Sequence, residues 1–201
     1  EGAEKFGLSD AVPFDLPRPA KSHFGTVEDF KDNLPLLAIR GFGQNEDAIT
    51  PLQMAMIAST VADGGIMMRP HVVAATLDDD GNVLDRTDPQ IYRQPMQPDT
   101  AATLTQLMIG VVQHGTAKST MQLANGVQAA AKTGTAQLNA KGEPQRSHAW
   151  IMAFAPAEAP RLAVAVMLKG VNDEISAGTG GKLAGPIAKT MLDYGLLAVP
   201  S

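Results

Sequence analysis

Lys132-Thr133-Gly134-Thr135 places a cation, two hydroxyls and a glycine consecutively in a stretch whose composition predicts a β-strand. Alternate side chains of a strand share a face, so Thr133 and Thr135 are expected on one side and Lys132 on the other. Gly134 removes the side chain between the two hydroxyls, which would let an extended ligand lie along the strand and take backbone and hydroxyl hydrogen bonds. That chemistry suits the docking of a carboxylate or a peptide. Taken alone, the tetrapeptide reads first as an exposed threonine-rich strand with a solvated lysine.

Other chemistries are weaker. Gly126 followed by four residues and then Ala131-Lys132-Thr133 is one glycine short of a phosphate-binding loop. Ala131 resists the positive φ values that a nest of N–H groups around phosphate often needs, and a turn expected over residues 139–142 forbids the long helix that such a lysine opens. Of the serines, Ser9, Ser22, Ser59, Ser119, Ser147, Ser176 and Ser201, none lies in Gly-x-Ser-x-Gly and none has lysine three residues later. Ser119 near His114 and Ser147 beside His148 lack a local carboxylate to orient the imidazole, so both read as surface serines. His23, His71, His114 and His148 are dispersed and form no His-x-x-x-His pair, and Asp78-Asp79-Asp80 reads as a solvated turn rather than a calcium loop. No metal and no cofactor is expected.

Composition narrows the class. The 201 residues carry 16 Lys and Arg against 21 Asp and Glu, a net charge of -5, the opposite of what phosphate neutralisation needs; no nucleic-acid partner is expected. A hydrophobic content of 44% with 18% charged residues predicts a folded chain, and the 19 glycines and 14 prolines predict many turns. The chain has no cysteine, which excludes disulfides and thiolate metal sites. No apolar run approaches 18 residues, because Glu158 and Arg161 cut the most apolar part, residues 149–168. The opening Glu1-Gly2-Ala3-Glu4 lacks the basic start and apolar run of a signal peptide, so a targeting segment is expected outside these residues.

The elements that must position Lys132 to Thr135 follow from periodicity and caps. Residues 1–35 read as an irregular connection, with Pro13, Pro17, Pro19 and Pro35 breaking any period around buried anchors such as Phe6 and Phe24. Thr50 as cap, Pro51 in the first position and Gln53 completing a capping box predict a helix over 51–62, apolar almost all round and therefore interior, ended by Asp63-Gly64-Gly65. A peripheral hairpin is expected from His71 to Leu84, with its turn at residues 78–82. A second helix starts near Asp99 and packs one face, Leu104, Leu107, Met108, Val111 and Val112, before His114-Gly115 stops it. Residues 127–135, 147–155 and 161–169 predict an antiparallel three-strand meander. A closing helix over 182–194 is expected, with Leu183, Ile187, Met191 and Leu192 on one side and Pro186 tolerable only in its first turn.

Taken in order, these segments resemble the transpeptidase domain of class B penicillin-binding proteins, of the actinobacterial, mycobacterial type. The resemblance rests on Gly41-Phe42-Gly43-Gln44, Ile49-Thr50-Pro51-Leu52-Gln53-Met54-Ala55, Asp63-Gly64-Gly65 before Arg69-Pro70, and Gly115-Thr116-Ala117. It continues through Ala131-Lys132-Thr133-Gly134-Thr135-Ala136, Ala149-Trp150-Ile151 and Phe154-Ala155-Pro156. It implies an α+β fold, an antiparallel sheet flanked by helices as an α/β/α sandwich, incomplete in this chain. The family's acylated serine sits in Ser-x-x-Lys and a second serine in Ser-x-Asn; neither motif occurs in these 201 residues. The resemblance therefore makes residues 1–201 the C-terminal part of such a domain, with both motifs upstream on the same polypeptide or on a second chain.

The implied activity is peptidoglycan cross-linking through a serine acyl-enzyme, with stem peptides and β-lactams as ligands, a membrane glycan polymerase as a partner, and a place on the extracytoplasmic face of the bacterial membrane, anchored by an N-terminal segment outside this chain. The resemblance gives Lys132 and Thr135 catalytic roles and makes Thr133, Gly134 and Thr135 the substrate-binding residues. Gly115, Thr116, Trp150 and residues 136–146 are rim candidates. Two alternatives stay open: a penicillin-binding-fold sensor or scaffold without catalysis, and a D,D-carboxypeptidase or β-lactamase relative.

Overall fold

The computed structural model describes residues 2–44, 47–138, 143 and 146–199. Three short helices, α1 (Gly2–Lys5), α2 (Val27–Phe30) and α3 (Leu34–Arg40), punctuate the region expected to be irregular. Pro35 does not break the chain there. It sits in the first turn of α3, where a missing N–H costs nothing, and Asn33 caps that turn by accepting the Leu36 N–H at 3.0 Å.

Helix α4 (Pro51–Ala62) has the predicted bounds, with the Thr50 hydroxyl accepting the Gln53 N–H at 3.1 Å. The expected capping box is only half formed. Buried Gln53 turns away and donates Nε2 to the Phe6 carbonyl at 2.7 Å, while the Thr50 N–H goes to Ser22 Oγ. Gln53 thus ties the first segment of the chain to the interior helix instead of capping it. Along α4 only Pro51 is exposed, in keeping with its all-round apolar composition. Gly64 and Gly65, both at positive φ, then turn the chain, and a side chain at Gly65 would overlap the Met96 carbonyl.

Strands β1 (Met67–Met68), β2 (Ala75–Leu77), β3 (Val83–Arg86) and β4 (Ile91–Arg93) follow. The expected hairpin is the antiparallel β2–β3 pair, with β3 exposed throughout and Asp78 closing the turn by accepting the Asp80 and Asn82 N–H groups. The β1–β4 pairing joins segments too short to show a period. Helix α5 (Pro98–Gln113) buries Met108 and Val112 but leaves Leu107 64% exposed, so its packed face is narrower than the apolar spacing suggested.

Three strands form the main sheet: β5 (Ala130–Gln137), β6 (Ser147–Ala155) and β7 (Leu162–Leu168), paired antiparallel in the order β5-β6-β7. The register sets Gly134 opposite Trp150, and Trp150 opposite Met167. One face, with Ala131, Ile151, Ala153, Val164 and Val166, packs on the last helix. The other buries Ala130 and Phe154 against Val61 of α4 and Met108 of α5. Phe154 is wholly buried, which by area contributes about 3 kcal/mol. These layers make the expected α/β/α sandwich. Among the described residues, no helix is long and apolar enough to cross a membrane.

After α6 (Asp173–Ala177), α7 (Gly180–Ala198) closes the chain and departs most from expectation. Its buried face is Gly180, Gly181, Ala184, Gly185, Ala188 and Leu192, while Ile187 and Met191 are 43% and 52% exposed. The reason is distance. A methyl group on Gly180 would overlap the carbonyls of Trp150 and Gly134, and one on Gly181 the carbonyl of Thr116, so only small residues let the helix approach this closely. Pro186 lies in the second turn, not the first, on the exposed side of the helix.

The outer edge of β7 is unpaired among the described residues, and Ile187, Met191, Tyr194 and Leu197 form an exposed apolar stripe on α7. Residues 1–201 expressed alone are expected to melt without a cooperative transition and to bind a hydrophobic dye. A sharp calorimetric transition with protected amides along β6 and β7 would overturn this.

Candidate functional site

Strand β5 changes character along its length. Ala130 and Ala131 are buried, Lys132 and Thr135 are exposed, and Thr133 and Gly134 lie half-buried between them. Because β5 pairs only with β6 among the described residues, every second residue presents both its N–H and its C=O to the other side. Three contacts identify those residues. Lys132 Nζ donates to the Thr133 carbonyl at 2.5 Å, Gln44 Nε2 donates to the Thr135 carbonyl at 3.1 Å, and the Gln137 N–H donates to Gln44 Oε1 at 3.2 Å. The open edge is therefore made by Thr133, Thr135 and Gln137, and the Thr135 N–H points out beside its carbonyl.

The side chains follow the alternation read from the sequence. Thr133 lies toward α7 and the segment after α5, where its hydroxyl meets the Thr116 hydroxyl at 2.6 Å. The same segment is fastened to α7 by Thr120 Oγ1, which donates to the Gly181 carbonyl at 2.8 Å. Gly134 faces the other way, toward Trp150, whose Cβ would lie 3.4 Å from a side chain built at Gly134. Lys132 leaves its own face only by bending round the open edge to the Thr133 carbonyl.

Trp150, Met167 and His148 line one wall of a groove of about 600 Å³, and Phe42, Gln44 and Met54 line the other. Of the rim candidates, Trp150 and Thr116 join the site. Gly115 instead serves the chain turn after α5, where a side chain would crowd the Val111 backbone. Within the rim loop, Ala136, Gln137 and Leu138 also line the groove, whereas residues 139–142, 144 and 145 lie outside the described residues.

Of the two histidine and serine pairings, that of Ser147 with His148 is resolved by the partners each has. Ser147 is buried rather than a surface serine, because its hydroxyl donates to the Ser176 carbonyl at 2.8 Å; Ser119 is exposed. His148 Nδ1 accepts the Gly170 N–H at 3.0 Å, which requires the unprotonated nitrogen. Burial, aided by the Lys169 charge, lowers the pKa of His148 below the usual imidazole value.

The contribution of Gln44 is absent from any local pattern, since its partners lie 91 and 93 residues away. Its only sequence signal is its place in Gly41-Phe42-Gly43-Gln44. The loop bearing it is fixed on both sides by a buried ion pair, Arg40 Nη1 to Asp47 Oδ1 at 3.4 Å, with the Phe30 ring 5.1 Å from the guanidinium carbon. Gly25 leaves the space that this guanidinium fills. Burial raises the Asp47 pKa, and Arg40 opposes that rise.

The penicillin binding protein transpeptidase domain, as a family model, matches residues 1–193. The chain belongs to that family. It is 38% identical over 190 residues to the peptidoglycan D,D-transpeptidase PbpA of Mycolicibacterium smegmatis, covering 94% of this chain and 37% of the relative. With the PbpA of Mycobacterium tuberculosis it is 39% identical over 198 residues, covering 98% and 39%.

A solved structure of penicillin-binding protein A from M. tuberculosis, a ceftriaxone acyl-enzyme complex, superposes with a TM-score of 0.83 at 37% identity. It covers 97% of this chain and 42% of that one. The chain thus spans about two-fifths of the length of the relatives it matches. The transpeptidase resemblance read from linked motifs, including the mycobacterial type, agrees with these matches, as does the α+β sandwich.

In this transpeptidase fold the lowered pKa of His148 sets a sign. The unfolded chain takes up the proton first, so the stability from neutral His148 is present above the ordinary imidazole pKa and is lost as pH falls through the folded value. In the intact protein the thermal midpoint is expected to fall as pH drops from 7.5 to 5.5, and His148→Gln to flatten that dependence. An equal slope in both proteins would refute the assignment.

Proposed function

We propose that these residues form the substrate-docking part of a serine D,D-transpeptidase that cross-links peptidoglycan stem peptides, with the nucleophile supplied by residues outside the 201. The observation that carries the reading is the open β5 edge, where Thr133 and Thr135 set two hydroxyls and an outward N–H around a glycine beside a lysine.

In this reading the serine oxygen attacks the carbonyl of a terminal D-Ala-D-Ala unit, and the C–N bond breaks as the departing D-Ala amine takes up the proton. The amine of a second stem peptide then attacks the ester, forming the cross-link and returning the proton to serine. Lys132 supplies a positive potential for the substrate carboxylate, and the hydroxyls of Thr133 and Thr135 hydrogen-bond it. Thr116 holds the Thr133 hydroxyl in place. The Thr135 N–H pairs with that of the serine as the oxyanion hole, each donor contributing about 3 kcal/mol. Gly134 allows the substrate backbone to lie against the strand.

β-Lactams are ligands of this site in the same reading, which the ceftriaxone and imipenem acyl-enzyme structures of the M. tuberculosis relative support. The substrate places the site outside the cytoplasmic membrane, with an anchor and any glycan-polymerase partner lying beyond these residues. The relatives' own names favour transpeptidation over a catalytically silent sensor or a hydrolytic relative.

Fluorescent penicillin followed by a denaturing gel and intact-mass measurement tests the reading. Label is expected on the polypeptide that carries Ser-x-x-Lys, and a separate 21.1 kDa chain of residues 1–201 stays unlabelled. Label on that chain itself, or none on a sample containing the serine part, would sink it.

Lys132→Ala is exposed and outside the core, so it is expected to slow acylation about 100-fold, the scale of losing one electrostatic contact to the transition state. The thermal midpoint should shift by less than about 2 °C, as for a surface substitution. Near-normal acylation of the variant would remove Lys132 from the mechanism.

A further inference from the structure

We infer that Gln44 is a positioning residue that holds the open β5 edge in register for acylation, an inference that rests on the proposed transpeptidase reading. The carboxamide carries a donor NH2 and an acceptor oxygen in one plane, and each end bonds β5: Nε2 donates to the Thr135 carbonyl and Oε1 accepts the Gln137 N–H. A residue of a neighbouring parallel strand would bond a C=O and an N–H two residues apart in this way. Gln44 thus replaces one residue of a missing strand at a point where the edge otherwise has no neighbour among the described residues.

Two consequences follow from the geometry. The clamp fixes both peptide groups that flank Ala136, and with them the direction of the Thr135 N–H, which shares its residue with the clamped carbonyl. It also occupies the Thr135 carbonyl and the Gln137 N–H, so an extended ligand has the edge at Thr133 and the Thr135 N–H to pair with and leaves the strand there. The clamp itself is braced, because the Arg40–Asp47 pair pins the chain on either side of Gln44 with both side chains at most 5% exposed.

The closest test substitutes Gln44→Met, which keeps length and loses both hydrogen bonds, and Gln44→Glu, which keeps the acceptor for Gln137 but loses the donor to Thr135. Both are made in the protein that includes the serine part and assayed with penicillin G, resolving the acylation step from the preceding binding step. Gln44→Met is expected to slow the acylation step about tenfold with a change of less than twofold in initial binding. Amide exchange at Gln137 should speed up by at least tenfold, and the thermal midpoint should stay within about 2 °C. Gln44→Glu should keep the Gln137 amide protected yet remain slow in acylation.

Acylation of Gln44→Met within twofold of the parent overturns the inference, as does a slowing matched by a fall in thermal midpoint and restored in Gln44→Glu. A parent that takes no penicillin overturns the transpeptidase reading and this role with it. The exchange rate at Gln137 still decides whether the clamp exists in solution.

Discussion

An antiparallel ladder uses the backbone groups of alternate residues, so a strand at the edge of a sheet keeps half of its N–H and C=O groups unpaired. Most proteins cover or disrupt such an edge. Here β5 runs without a register shift against β6 and keeps an open edge at Thr133 and the Thr135 N–H, and the surrounding structure can be understood as what holds that edge in place without closing it. Strand β6 fixes one side through an uninterrupted register from Ala130 to Gln137. Thr116 holds one side chain, and Gln44 closes the edge from the Thr135 carbonyl to the Gln137 N–H, leaving the Thr135 N–H open.

The helix beneath the strand shows how strictly position is set. Alanine and glycine dominate the contact between α7 and the sheet, which makes the interface a backbone-to-backbone fit with little room for adjustment. Long side chains could absorb a shift of the helix by changing rotamer, whereas glycines in contact with the carbonyls of Gly134, Trp150 and Thr116 cannot. The packing that buries α7 is thus the packing that locates Thr133 and Gly134. Stability and site geometry are one set of contacts here.

The sequence made this arrangement legible in unequal parts. Helix α4 could be read to the residue because Thr50, Pro51 and the double glycine are local signals at its two ends, and the meander because three apolar stretches follow one another, the last two across a short proline-flanked turn. Lys132, Thr133, Gly134 and Thr135 stood out by residue type. Helix α3 was hidden because Pro35 looks like a breaker until Asn33 is seen as its cap.

The apolar side read for α7 meets its buried face at Leu192 but not at Ile187 and Met191, because apolar periodicity favours large residues while the sheet selected small ones. Gln53 fits a capping box by spacing, but the Phe6 carbonyl, 47 residues away, takes its amide. Gln44 has the same character: its partners are set by tertiary structure, and no local rule reaches them.

The division of the proposed oxyanion hole between two segments sharpens what this part of the molecule must do. One donor, the Thr135 N–H, belongs to β5, and the other belongs to the serine outside these residues. Donors stabilise a developing charge only when aimed at the position the oxyanion will occupy, and a misplacement of about 1 Å costs on the order of 100-fold in rate. A docking strand that bound its ligand well but drifted relative to the nucleophile would hold substrate and turn over little of it. The close α7 contact, the Thr116 hydroxyl, the Gln44 clamp and the buried Arg40–Asp47 pair all act on that one coordinate, the place of Thr135 relative to whatever packs across the groove. In this reading much of the catalytic power carried by these residues lies in where they hold a peptide group, which is why their chemistry looks so plain when met one side chain at a time.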